Sequence, residues 1–187
     1  MPPKVKITKE DIINTTVDIV RNDGAESINA RNIATKLKCS TQPIFSNFTS
    51  KEELRLAVIK KAEEMCNEYI NAEISKEQYP PYKASGIAYI RFAKEEKELF
   101  KLLYMRNRNA DDTMENPELN NKMENMVQSN TGLKGDDIKL FHLEMWAYVH
   151  GIATMFATDF LDLSWELVSK MLTDSYQGLK KQYEVKD

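Results

Sequence analysis

Behind Thr8, the residues Ile12, Ile13, Thr16, Val17, Ile19 and Val20 recur every three or four positions, the period of a helix with one buried face. Thr8 with Asp11 three residues on is an N-capping signal, and Asn22-Asp23-Gly24 is a stop, so a first helix is predicted between them. Asn29 can cap a second, short helix with Ile33, Ala34 and Leu37 inward. After Lys38-Cys39, Ser40 is another cap candidate, and a third helix is predicted from Thr41. Pro43 is tolerated there because first-turn amides have no intrahelical acceptor; Ile44 and Phe48, four apart, then point together into a core. Thr49 or Ser50 caps a long amphipathic helix with Glu52 and Glu53 in its first turn, running through Leu54, Val58, Ala62, Met65, Tyr69 and Ile70 to about Ile74.

Turn signals at Tyr79-Pro80-Pro81, Asn107 to Pro117 and Thr131-Gly132 to Gly135 divide the remainder into about five helices, with 107–117 expected as a mobile loop. The predicted class is all-α, with about nine helices: a three-helix, helix-turn-helix domain over 1–50 and a larger helical bundle over 51–187.

Composition agrees. Gly and Pro number only six each in 187 residues, and long stretches pass without either, which favours helix. The longest apolar region, Phe141 to Phe160, is broken by Glu144, His150, Gly151 and Asp159, so no membrane span is expected. The two cysteines, Cys39 and Cys66, fall in different predicted elements, and no charged-then-apolar leader opens the sequence, so a cytoplasmic setting is expected. The net charge of −3 hides an asymmetry. Residues 1–60 carry ten Lys and Arg against seven Asp and Glu, or +3, whereas 61–187 carry sixteen against twenty-two, or −6. A polyanion would meet the first sixty residues.

With Ile44 and Phe48 inward, Gln42 and Ser46 take the opposite side of the third helix, Pro43 and Phe45 flank them, and Thr41 and Asn47 lie at the margins. Gln can pair bidentately with an adenine edge, hydroxyls serve several bases, Pro and Phe suit a thymine methyl, and no carboxylate repels phosphate. A short helix pair presenting such a face is the arrangement that enters a major groove; the spacing alone is equally met by a solvated face of any small helical domain.

Gly24, "NARNIATKLKCS", "TQPIFSNF" and "SKEEL", in that order and spacing, resemble the N-terminal domain of TetR-family transcriptional regulators over roughly the first sixty residues. The resemblance implies a ligand-responsive, homodimeric regulator, acting as a repressor that a small-molecule effector releases from a palindromic double-stranded DNA operator. It also implies that Arg31, Thr41, Gln42, Pro43, Phe45, Ser46 and Asn47 approach bases or flanking phosphates, and that Lys51 anchors a phosphate at the next helix start. Lys51 beside a helix N-terminus is independently a suitable phosphate seat. Two positions depart from the family pattern. Phe45 stands where Tyr is usual, and Lys38 replaces a turn Gly, which predicts a less common or strained turn.

Farther on, "ELFKLLYMRNR" and "WAYVHG" are similar to weaker patterns of the same family. The penultimate helix carries two apolar stripes, His142, Trp146, Val149, His150 and Ala153 on one side, and Phe141, Met145, Tyr148, Ile152, Met155 and Phe156 on another. By resemblance the last two helices build a dimer interface, one stripe facing the partner, with Leu163, Leu167, Val168, Met171, Leu172, Tyr176 and Leu179 contributed by the final helix; which stripe does so stays open. Tyr89, Phe92, Phe100, Tyr104, Met145 and Trp146 are candidates to line an adaptable effector cavity, or else ordinary core.

No metal or other cofactor is expected: His142 and His150 stand eight residues apart with neither cysteine near. The chain contains no glycine-rich phosphate loop, Gly-x-Ser-x-Gly or His-Glu-x-x-His, so no catalytic residue is assigned and the chain is not expected to be an enzyme. The alternative from another class is a helical small-molecule-binding or protein-interaction module that keeps the fold without binding DNA.

Overall fold

A computed structural model describes residues 7–106 and 117–184. The described residues form nine α-helices and no strand: α1 (Lys9–Asp23), α2 (Ala30–Lys36), α3 (Gln42–Asn47), α4 (Lys51–Ile74), α5 (Pro81–Glu95), α6 (Lys97–Tyr104), α7 (Pro117–Thr131), α8 (Asp136–Ala157) and α9 (Trp165–Glu184). A 3₁₀ turn, Ala25–Ser27, lies between α1 and α2. The expected loop 107–117 falls outside the described residues apart from Pro117, which begins α7.

Local hydrogen bonds set the helix starts. At α1 the Asp11 amide donates to Thr8 Oγ1 at 3.1 Å and the Thr8 amide donates back to Asp11 Oδ2 at 2.8 Å, a reciprocal box. Asn29 Oδ1 accepts from the Asn32 amide at 2.9 Å to start α2. At α4, Ser50 Oγ accepts from the Glu53 amide at 3.0 Å while Glu53 Oε2 accepts from the Thr49 amide at 2.7 Å. The third helix differs. Ser40 is not its cap and Thr41 does not begin it: Thr41 is the N-cap, with helical backbone angles and no side-chain cap bond, and the helix runs from Gln42.

The end of α2 explains how a lysine sits in the turn. Lys38 has φ of 53°, its amide donates to Thr35 O at 3.2 Å, and the Cys39 amide donates to Ala34 O at 2.9 Å. These two bonds make a Schellman closure, whose left-handed residue is usually glycine because a Cβ there costs about 1–2 kcal/mol. The expectation of a less common or strained turn is met by the positive φ of a residue that carries a Cβ.

Contacts divide the chain into two compact units that do not follow chain order: Met1–Asn67 with Glu96–Arg106, and Glu68–Glu95 with Asn107–Asp187. In the first, α1 packs against α2, α3 and α6 over a core that includes Ile12, Val20, Ile28, Ile33, Ile44 and Phe48 from the head and Leu99, Phe100 and Leu103 from α6. Arg21 grips Glu96 through two bonds of 2.8 Å, joining α1 to the start of α6.

In the second unit α5 lies along α8, with α7 and α9 beside them. A Cβ built on Gly86 of α5 would meet Val149 Cγ2 at 3.4 Å and Leu172 Cδ1 at 3.5 Å, ordinary van der Waals contact, so this position faces α8 and α9. The buried face of α8 is Phe141, Met145, Val149, Ile152, Ala153 and Phe156. This corrects both predicted stripes: each contributes to one buried face, while Trp146 and Tyr148, assigned to opposite stripes, are both exposed. Leu163 precedes α9 rather than lying on it.

Candidate nucleic-acid interface

The α2–turn–α3 segment is bare of acid. Between Glu26 and Glu52 no carboxylate occurs, while Arg31, Lys36, Lys38 and Lys51 do. All four cations are exposed, and none has an ion pair among the described residues. Elsewhere cations are commonly engaged: Lys9 with Glu53, Arg21 with Asp18 and Glu96, Lys76 and Arg91 with Glu73, Lys94 with Asp162. An uncompensated positive surface favours a polyanion.

The third helix turns its predicted face outward. Ile44 and Phe48 are each 3% exposed, whereas Gln42 and Ser46 are exposed and Phe45 is 68% exposed. Pro43, Thr41 and Asn47 are half-buried at the edges. Two polar side chains are partly committed within the helix. Ser46 Oγ donates to Gln42 O at 2.9 Å and Asn47 Nδ2 donates to Pro43 O at 2.8 Å. In this geometry Ser46 offers lone pairs and Asn47 its carbonyl, both suited to an exocyclic amine. Gln42 makes no side-chain bond among the described residues, so its amide keeps both a donor and an acceptor.

Lys51, the first residue of α4, is exposed beside Ser50, with Glu52 and Glu53 following it. Glu53 is already engaged by Lys9 and Thr49, which hold its carboxyl down at about 2, the Lys9 ammonium being the largest cause. Arg31 is exposed in the first turn of α2. Every predicted DNA-contact residue thus belongs to one continuous segment, and none is buried.

No protein-family model and no curated protein matches the sequence. Solved structures do. A TetR-like transcriptional regulator from Rhodococcus sp. RHA1 superposes with a TM-score of 0.66 at 15% identity, covering 100% of both chains. A protein of unknown function from the same organism superposes with a TM-score of 0.75 at 18% identity over 97% of this chain and 98% of that one.

The fold of the present chain is TetR-like. At such identities the likeness carries architecture, and the roles of side chains rest on their geometry.

Within this TetR-like fold, the six candidate effector-contact residues do not share one setting. Phe100 and Tyr104 pack ring to ring in the first unit at 5.0 Å, and Tyr104 faces the buried Cys66 thiol, which burial pushes up to about 12. Tyr89, Phe92, Met145 and Trp146 lie in the second unit. There Phe92 is fully buried against Tyr69, and Trp146, 39% exposed, stacks on His150 with centroids 4.9 Å apart. The two histidines each face a tyrosine of α5: Tyr82 Oη lies 2.9 Å from His142 Nδ1, and Tyr89 Oη lies 2.9 Å from His150 Nδ1. Desolvation lowers the affinity of both rings for a proton. Among the described residues no group of three or more His, Cys, Asp or Glu side chains is arranged to hold a metal, and no helix is long and apolar enough to cross a membrane.

Of the candidate dimer residues, Val168 and Leu172 are buried within their own unit, Leu163, Met171, Tyr176 and Leu179 are half-buried, and Leu167 is 44% exposed. Tyr176 and Leu179 pack on the cluster of Val127, Phe141, Met145 and Tyr183. The more open apolar surface is on α8, where Leu140 is 45% and Leu143 56% exposed, with Ala147 and Gly151 continuing the same line. Sequence periodicity passed over these four because Ala and Gly do not register as a stripe, although the 140, 143, 147, 151 spacing is helical.

Proposed function

We propose that this chain is a ligand-responsive, DNA-binding transcriptional regulator, a homodimer acting as a repressor that a small molecule releases from a palindromic operator. The observation that carries this is the acid-free α2–α3 segment, whose four exposed cations and whose Gln42 amide have no side-chain partner among the described residues. The role of reading DNA is assigned to residues 1–50, and those of dimerisation and effector binding to 51–187.

Arg31 and Lys51 supply phosphate contacts that seat the head, Gln42 reads a base edge, and Thr41, Pro43, Phe45, Ser46 and Asn47 shape its surroundings. Two such heads reach successive major grooves when their third helices stand near one helical turn apart, about 34–36 Å. The exposed Leu140–Leu143–Ala147–Gly151 face supports pairing of two copies through α8. Tyr89, Phe92, Met145 and Trp146 mark the unit where an apolar effector is sought. An effector that prefers dimers with wrongly spaced heads weakens DNA binding by the same coupling energy with which DNA opposes it; about 3 kcal/mol gives roughly a hundredfold release.

The test is retention of genomic fragments by the purified protein across a salt series. A sequence-selective shift that weakens with salt is expected, and Gln42→Ala should reduce affinity for the selected site by about 1–3 kcal/mol while sparing random DNA. No shift at any salt would leave the alternative, a helical binding module that has kept the fold alone.

A further inference from the structure

The geometry points to Lys38 as a phosphate-contacting residue, delivered by the turn itself rather than by either helix of the α2–α3 pair. This rests on the DNA-binding function proposed above, and places an added cation in the reading head.

Three observations converge. Lys38 holds a left-handed backbone, φ 53°, at the closing position of α2, where both stabilising bonds come from main-chain amides and any side chain is superfluous. Its side chain is exposed and makes no hydrogen bond or ion pair among the described residues, so none of them offsets the strain through it. It also stands four residues before Gln42, in the segment where Arg31, Lys36 and Lys51 are likewise uncompensated and carboxylates are lacking.

Left-handed geometry alone would not single it out, since Glu77 and Asp159 adopt φ of 55° as well. Both are acidic and lie outside the acid-free segment; among the described non-glycine residues with positive φ, only Lys38 is a cation. A lysine point charge on a flexible stem suits a phosphate oxygen, which needs no fixed approach angle. Strain kept at a turn beside a binding face is the pattern expected when the side chain's partner is external.

The experiment compares the full-length protein with Lys38→Gly, Lys38→Gln, Lys38→Arg and Lys51→Gln, measuring binding to a random-sequence duplex by fluorescence anisotropy from 50 to 200 mM salt. Lys38→Gly is expected to melt at a higher temperature than the parent and yet lose about one unit of the slope of log affinity against log salt. Lys38→Gln should lose the same slope without the gain in melting temperature, and Lys38→Arg should keep the slope. If Lys51→Gln lowers the slope while Lys38→Gly and Lys38→Gln leave it at the parental value, the Lys38 contact is overturned and the DNA-binding reading stands. A parent protein that binds no duplex at any salt overturns both.

Discussion

Lys9 and Glu53 meet at 2.9 Å, Nζ to Oε1, although 44 residues separate them. The same carboxylate accepts from the Thr49 amide and hydroxyl at 2.7 and 2.9 Å, so one acid caps α4 and ties its start to α1. Because the carboxyl is held at about 2, below its ordinary 4.5, folding favours its charged form. That contribution is complete above about 4.5 and fades as pH falls from there towards 2. Glu53→Gln should therefore lower the melting temperature at pH 7, and the gap from the parent should close in melts taken at successively lower pH below 4.5.

Asn29 caps a helix of only seven residues that carries Arg31. Asn29→Ala should destabilise the protein by about 1 kcal/mol in urea titration, because a short helix has few other bonds to hold its first turn.

Glu73 is 3% exposed and bonded by Lys76 at 2.6 Å and Arg91 at 3.2 Å. Arg91→Ala removes one of two cations from a buried carboxylate and should cost roughly 2–4 kcal/mol. Arg91→Lys should recover part of this in the same urea series.

The Tyr82–His142 and Tyr89–His150 pairs make a pH prediction of opposite origin. Burial lowers both rings from the ordinary 6.5, with Glu124 acting weakly against it at His142, so below 6.5 the unfolded chain binds more protons than the folded one. Stability should fall as pH drops through that window, and NMR titration should place both rings below 6.5. Tyr82→Phe or Tyr89→Phe should each cost about 1 kcal/mol through the lost hydrogen bond.

Leu143 is 56% exposed, so a charge there should leave the fold intact. Leu143→Glu should give a folded protein that sediments as a monomer at concentrations where the parent is a dimer. A parent that is itself monomeric would refute the α8 pairing.

Much of the fold was legible in the sequence where the determining forces act over three or four residues. Thr8 and Asn29 are read as caps from side chains that can reach a nearby amide, and each forms that bond; at α4 the sequence leaves Thr49 and Ser50 open, and Ser50 takes the role. Ile44 and Phe48 are inward because a helical period admits one apolar side. The break between α5 and α6 was not legible: Glu96 interrupts the helices without a glycine or proline nearby, and its carboxylate is bound to Arg21, 75 residues away.

By itself the sequence determined the all-α class, the starts of α1, α2 and α4 and the outward face of α3, because capping, period and charge are local properties. Tertiary structure alone decided that Phe100 and Tyr104 belong with the head, that α8 leaves Leu140, Leu143, Ala147 and Gly151 uncovered, and that each histidine faces a tyrosine. Those outcomes depend on which surfaces meet across sixty or more residues, and an apolar period shows that a face is buried without saying against what.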